Sequence, residues 1–242
     1  MSASIGPAAI WHDVECGSYG ADLGLWEELA AAADGPVLEL GCGTGRVVLH
    51  LARRGFETVG LDRDPELIAA LAERADGLPV RTHLADAQDF ALDGEAALVL
   101  APTQMIQLLP DSEARAACLR RVSAALRPGG RFAAAILEGM PEPDGAPPPL
   151  PDVREIDGWV YSSLAVEAAV GPGEIVIHRL RHTVSPDGEL AEEPNQVRIA
   201  TFPAAQLDEE AAAAGLRPLE RRQIAATDIH VGSLAVVYEK AG

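Results

Sequence analysis

Lysine is nearly missing from this sequence. Lys240 is the only one in 242 residues, so the positive charge is almost all arginine, and the core has no lysine for a Schiff base or a phosphate-binding P-loop. Cations of any kind are outnumbered: 19 Lys and Arg face 37 Asp and Glu, for a formal net charge of -18. A nucleic-acid binder must bring cations that displace counterions from the phosphates, so this balance argues against nucleic acid. It argues equally against an anionic membrane surface. Cysteine is scarce too. Cys16, Cys42 and Cys118 are odd in number and far apart, with no metal-type pairing, which predicts a reducing, cytoplasmic setting and no metal site. No apolar run approaches the ~20 residues a membrane helix needs. The opening MSASIGPAAIWHDVECGSYG has neither the basic nor the apolar region of a signal peptide. Internal repeats are absent.

What is present reads as an ordinary globular chain, with 48% hydrophobic and 23% charged residues and enough length to bury a sizeable core. Residues 25–33 (LWEELAAAA) are predicted to form a helix. Val37 to Leu40 is a short apolar run halted by glycines, hence a buried strand. Helical spacing returns over 46–54, a second strand follows from Phe56 to Leu61, and Asp64-Pro65 opens another helix with a plausible cap and a proline in its first turn. Strands at Val80–Leu84, Ala96–Ala101 and Arg131–Leu137, with a helix over 112–126 closed by Arg127-Pro128-Gly129-Gly130, continue the alternation. Such a pattern predicts a parallel sheet covered on both faces. It breaks at a proline-rich connector, 140–151, followed by alternating strands at 159–167, 174–184 and 197–202, with a turn at Ser185-Pro186-Asp187-Gly188. A helix (204–214) and two strands, around 218–224 and 233–238, complete the chain.

Glu39-Leu40-Gly41-Cys42-Gly43-Thr44-Gly45-Arg46 lies where the first strand meets its helix. Glycines there let the backbone approach a ligand, and the helix N-terminus offers unpaired N–H groups. Asp62 ends the second strand and Asp86 follows the third, both at the carboxyl edge where parallel sheets bind ligands. A dinucleotide fingerprint needs G-x-G-x-x-G, and counted from Gly41 its third glycine falls on Arg46, so that register fails.

Val37 to Arg46 (VLELGCGTGR) resembles the first motif of class I S-adenosylmethionine-dependent methyltransferases. The likeness continues in family order through Gly60-Leu61-Asp62, Ala85-Asp86-Ala87 and Leu126-Arg127-Pro128-Gly129-Gly130, strongly over residues 36–138 and loosely elsewhere. The order Trp11, Tyr19, Asp22, Trp26 is similar to small methyltransferases of bacterial secondary metabolism, whose N-terminal segment folds over the cofactor. The resemblance implies that Gly41 and Gly43 pass beneath the methionine portion, that Asp62 holds the ribose hydroxyls, and that Asp86 with Ala87 borders adenine. Glu39, Cys42, Arg63 and Ala101 complete the implied cofactor-binding set. Tyr19 and Arg46 are candidates for the cofactor carboxylate, against the alternatives of a packing aromatic and a surface first-turn residue. The chain departs from the Asn/Asp-Pro-Pro-Tyr/Phe device of many nucleic-acid methyltransferases: after the fourth strand it reads Ala101-Pro102-Thr103-Gln104-Met105.

For catalysis the leading candidate is His230, in Asp228-Ile229-His230-Val231-Gly232-Ser233 just before the last strand. An antiparallel last strand brings it to the rim that carries Asp62 and Asp86, and an imidazole has the pKa for general-base work. The alternative is a histidine hydrogen-bonded within a loop. Gln104 and Gln107 are candidates for orienting a polar acceptor, against capping or solvent contact. His178 and His182 share a face of one strand, and a solvated reading outweighs a metal site.

The expected fold is α/β: a Rossmann-like, mostly parallel seven-stranded sheet with helices on both faces and an added antiparallel strand layer. Residues 1–35 form an N-terminal helical cap, 36–139 and 203–242 the methyltransferase core, and 140–202 the connector and insertion. The expected function is transfer of a methyl group from S-adenosylmethionine to an oxygen or nitrogen of a small molecule, with a homodimer as a possible assembly. A nicotinamide-dependent oxidoreductase and a non-catalytic cofactor-binding partner subunit are the competing classes.

Overall fold

A computed structural model describes residues 6–92, 96–140, 150–227 and 230–241. Its first two elements are α1 (Pro7–Cys16), with proline in the first turn where its missing N–H costs nothing, and α2 (Leu23–Ala33). Then β1 (Val37–Leu40), α3 (Arg46–Ala52), β2 (Thr58–Asp62), α4 (Pro65–Arg74), β3 (Val80–Leu84) and β4 (Ala96–Ala101) alternate as the apolar runs predict. Every residue of β1, β2 and β4 is buried, which is why these strands read as continuous rather than alternating hydrophobics. Asp64 caps α4 as expected, its Oδ1 accepting from Glu66 N at 2.8 Å. A 3₁₀ turn at Met105–Gln107 leads to α5 (Ser112–Ala125), then β5 (Leu126–Ile136).

The strand β5 corrects a boundary. The Arg127-Pro128-Gly129-Gly130 segment does not precede the strand but lies within it, with Gly129 at φ +71°. An irregular register between Ala96 and Leu98 absorbs the extra length.

After the connector come β6 (Asp152–Ile156), β7 (Trp159–Gly171), β8 (Glu174–Val184) and β9 (Leu190–Ala200), then α6 (Ala204–Ala213), β10 (Leu216–Ile224) and β11 (Ser233–Lys240). The seven-stranded sheet has the order β10-β11-β5-β4-β1-β2-β3. Strands β1 to β5 are parallel, and β11 runs antiparallel between β5 and β10. One face packs α5 and α6 around Leu119, Phe132 and Tyr238, while the other packs α2 and α3 around Trp26.

The insertion is a second, wholly antiparallel sheet, β6-β7-β8-β9, with four strands where three were expected. The fourth is β6, joined to β7 by Asp157-Gly158, both at positive φ (+51° and +81°), as a two-residue hairpin turn requires. Residues 141–149 of the proline-rich connector lie outside the described residues.

Helix α1 joins the two sheets. Toward the core, its Ala8 N donates to Glu66 of α4 (3.0 Å), and Asp13 accepts from Arg74 (2.6 and 2.9 Å). Toward the insertion, Glu15 forms a two-pronged pair with Arg181 of β8 (2.8 and 2.9 Å) and accepts from Ser163 of β7 (2.8 Å). Trp11 meets Tyr161 edge-on at 5.6 Å, with Arg181 stacked 4.9 Å from its ring.

Candidate functional site

At the carboxyl end of β1 the chain makes a tight bend. Gly41 (φ +63°) and Gly43 (φ +54°) are left-handed, where a side chain is strained. Space is short as well: a Cβ on Gly41 would stand 2.7 Å from Met105, and one on Gly43 would stand 2.0 Å from His12 Nε2. Gly45 begins α3 without a side chain to cap it. Glu39 supplies the cap from inside β1, its Oε2 accepting from Val48 N at 2.8 Å. That carboxyl is buried, and burial pushes its pKa up to about 8 despite nearby Arg46. Cys42, between the glycines, turns its thiol into the core against Gly60, where Sγ also donates to Gly43 O at 3.6 Å. Burial raises that thiol's pKa well above its ordinary range.

The two acids stand on this rim. Asp62 Oδ2 accepts from Gly43 N at 2.9 Å and its Oδ1 from Asp64 N at 3.0 Å, so the carboxylate is locked to the bend. Asp62 pairs in register with Leu84, which places Asp86 two residues further along the neighbouring strand's exit. Asp86 Oδ1 accepts from Gln88 N (2.8 Å) and Gln88 Nε2 (3.1 Å), and its Oδ2 has no partner among the described residues. Ala87 beside it is buried, as is Ala101 at the end of β4, whereas Arg63 is exposed.

Arg46 is not a surface residue. Its side chain is only 9% exposed and pairs with buried Asp22 through both Nη atoms at 2.6 and 2.8 Å, and one of these also donates to Tyr19 O. Asp22 in turn accepts from Trp26 Nε1 at 2.7 Å. The buried carboxylate offsets the unfavourable placement of a cation at a helix N-terminus. Tyr19 lies with its ring 5.1 Å from the Arg46 guanidinium and 4.8 Å from the His230 imidazole.

His230 reaches the same rim because β11 runs antiparallel to β5, with Leu234 opposite Ile136 at the carboxyl edge. Its N donates to Thr227 Oγ1 at 3.0 Å, and Nδ1 lies 3.3 Å from that hydroxyl. Burial lowers its pKa, with Asp152 and Arg179 of the second sheet among the charges that act on it. Its neighbours Asp228 and Ile229 lie outside the described residues.

The two glutamines part company. Thr103 (φ +46°) and Gln104 (φ +59°) are left-handed without being glycine, a strain of roughly 1–2 kcal/mol per residue, in the turn that sets Met105 over Gly41. Gln107 is spent on structure. Its amide donates to Leu137 O (2.9 Å) and Ala200 O (2.5 Å) and accepts from Leu137 N (2.6 Å), and the side chain is buried, so it is not presented to an acceptor. Among the described residues no group of three or more acidic, His or Cys side chains is arranged to hold a metal, and His182 pairs with Glu192.

Sequence reasoning missed His12 and Asp13. Asp13 is buried on α1 and binds Thr44 (2.6 Å), Arg74 and Arg154 (2.9 Å), so it ties the glycine bend, α4 and β6 together. No local pattern marks it, since its partners are 31, 61 and 141 residues away.

Residues 37–130 match the profile of a methyltransferase domain. An uncharacterized methyltransferase of Mycobacterium tuberculosis (H37Rv), Rv3342, is 31% identical over 132 residues, which is 54% of this chain and 51% of the relative. The chain thus spans about half the length of that relative. The sugar N-methyltransferase KedS8 from Streptoalloteichus superposes over 100% of this chain and 96% of its own, with TM-score 0.77 and 18% identity. The CcbJ methyltransferase from Streptomyces caelestis covers 93% of this chain and 92% of its own, with TM-score 0.67 and 25% identity. The profile match at residues 37–130 thus lies within a fold that these solved methyltransferases share.

Proposed function

We propose that this protein transfers the methyl group of S-adenosylmethionine to an oxygen or nitrogen of a small molecule, a secondary metabolite. The observation that carries the reading is the convergence of the glycine bend, Asp62 and Asp86 on one rim, with His230 and Tyr19 on the same edge. The donor set suits the cofactor. Asp62 keeps lone pairs beyond its two backbone bonds for ribose hydroxyls, and Asp86 Oδ2 is open to accept from the adenine amine. A small acceptor agrees with the acidic chain and with the name of KedS8, a sugar N-methyltransferase.

When bound, S-adenosylmethionine supplies an electrophilic methyl on a sulfonium that leaves as a neutral thioether. Alignment of the acceptor's lone pair with the methyl–sulfur bond then provides much of the acceleration. His230, kept neutral by burial, takes the proton that the acceptor oxygen or nitrogen loses as the carbon bond forms. Tyr19 packs against the imidazole and restricts its orientation.

Calorimetry with S-adenosylmethionine and S-adenosylhomocysteine tests the reading: both bind, and absence of binding at millimolar concentration overturns it. Asp62→Ala lowers affinity for both. His230→Gln reduces kcat by roughly 100-fold or more while cofactor affinity stays at the parent value; an unchanged kcat removes His230 from the chemistry.

A further inference from the structure

We propose that His12 is a further cofactor-binding residue, whose Nε2 accepts a hydrogen bond from the α-ammonium group of bound S-adenosylmethionine. The inference rests on the methyl-transfer reading and adds to it a side chain from α1. The imidazole is laid directly on the glycine bend, so close that a Cβ on Gly43 would meet Nε2 at 2.0 Å and Cε1 at 2.3 Å. That bend is where the methionine portion of the cofactor passes in the reading above.

The hydrogen bonds around His12 fix which nitrogen carries the proton. Thr44 Oγ1 is 2.6 Å from Asp13 Oδ1, and Asp13 is held as a carboxylate by Arg74 and Arg154, so it can only accept. The single hydroxyl proton of Thr44 is therefore spent on Asp13. The contact between Thr44 Oγ1 and His12 Nδ1, at 3.1 Å, then requires Nδ1–H to donate. In a neutral imidazole this leaves Nε2 as a bare acceptor. Burial favours the neutral form, outweighing the opposite pull of Asp13 and Asp62.

Nε2 has no hydrogen-bond partner among the described residues. Nor is it among the sealed polar atoms, of which Asn195 Oδ1 is the one found among the described residues, so it opens onto accessible space. An open acceptor on the bend suits one end of an amino acid and not the other. An ammonium offers it a charged N–H donor, while a carboxylate would face its lone pair with another. Asp13 thus acts at one remove: by fixing Thr44 it sets the tautomer of His12, which makes it a positioning residue.

The test is calorimetry on the full chain with S-adenosylmethionine and with 5'-methylthioadenosine, which keeps the nucleoside and thioether but has no amino acid. His12→Asn retains an N–H donor for Thr44 and has no atom at the Nε2 position. His12→Gln brings an acceptor oxygen close to that position. His12→Asn is expected to weaken S-adenosylmethionine roughly 10- to 100-fold, the range for a hydrogen bond to a charged group. His12→Gln recovers part of that loss, and methylthioadenosine binds parent and both variants alike. Parent-like binding of S-adenosylmethionine by His12→Asn overturns the assignment, as does an equal loss of both ligands, which would make His12 a support for the bend. If the parent itself binds neither ligand, the methyl-transfer reading falls first.

Discussion

Glu39 is an acid inside a buried strand, and its single strong partner is a backbone N–H of α3. With its pKa raised to about 8, it binds a proton more tightly folded than unfolded. Between the ordinary carboxylate range and about 8, the native state therefore holds a proton that the unfolded chain has released, and stability falls as pH rises through that window. Glu39→Gln keeps the shape without the titration. Urea unfolding between about pH 5 and about pH 8.5 should show the parent losing stability relative to this variant; a constant difference would mean that Glu39 is ionised throughout. At this scale the sequence was most legible where spacing is local. Gly41, Gly43, Asp62 and Asp86 stand on one rim as strand–turn–helix punctuation implies. It was least legible where one side chain depends on another far away. Arg46 reads as a surface residue until Asp22 buries it, and Gln107 reads as a free amide until Leu137 and Ala200 consume it.

Elements betray themselves by burial pattern, and those with little burial are the ones that escape. The buried strands β1, β2 and β4 announce themselves as apolar runs, whereas β6 reads DVREI and is mostly exposed. Its one sequence signal is Asp157-Gly158, a hairpin turn hidden just past a proline-rich stretch. Likewise β9 carries Glu192, Glu193 and Pro194, residues that read as loop. They are tolerated because β9 is an edge strand, where a proline removes no ladder bond and charge discourages pairing with another chain. The joint between the two sheets depends on Gln107, which bridges Leu137 at the end of β5 and Ala200 at the end of β9. Gln107→Leu leaves buried backbone groups unpaired and should cost on the order of 3 kcal/mol, measured by urea unfolding. A loss below about 0.5 kcal/mol would show that water replaces the amide.

The whole molecule carries a formal net charge of -18, and four arginines around the site are already committed: Arg46 to Asp22, Arg74 and Arg154 to Asp13, Arg181 to Glu15. With 37 Asp and Glu against 19 Lys and Arg, the field reaching solvent is negative. S-adenosylmethionine carries one net positive charge, from sulfonium and ammonium against one carboxylate, while S-adenosylhomocysteine carries none. A negative protein steers the first and not the second, and salt screens that attraction over about 8 Å at physiological ionic strength. Stopped-flow association should then show the on-rate for S-adenosylmethionine falling as salt is raised from roughly 0.01 to 0.5 M, with that for S-adenosylhomocysteine nearly flat. Parallel salt dependence for the two would place the effect in a conformational step common to both, such as movement of α1 off the glycine bend. Dissociation rates help separate these cases. Steering leaves them almost unchanged, because it acts on the encounter before the complex forms.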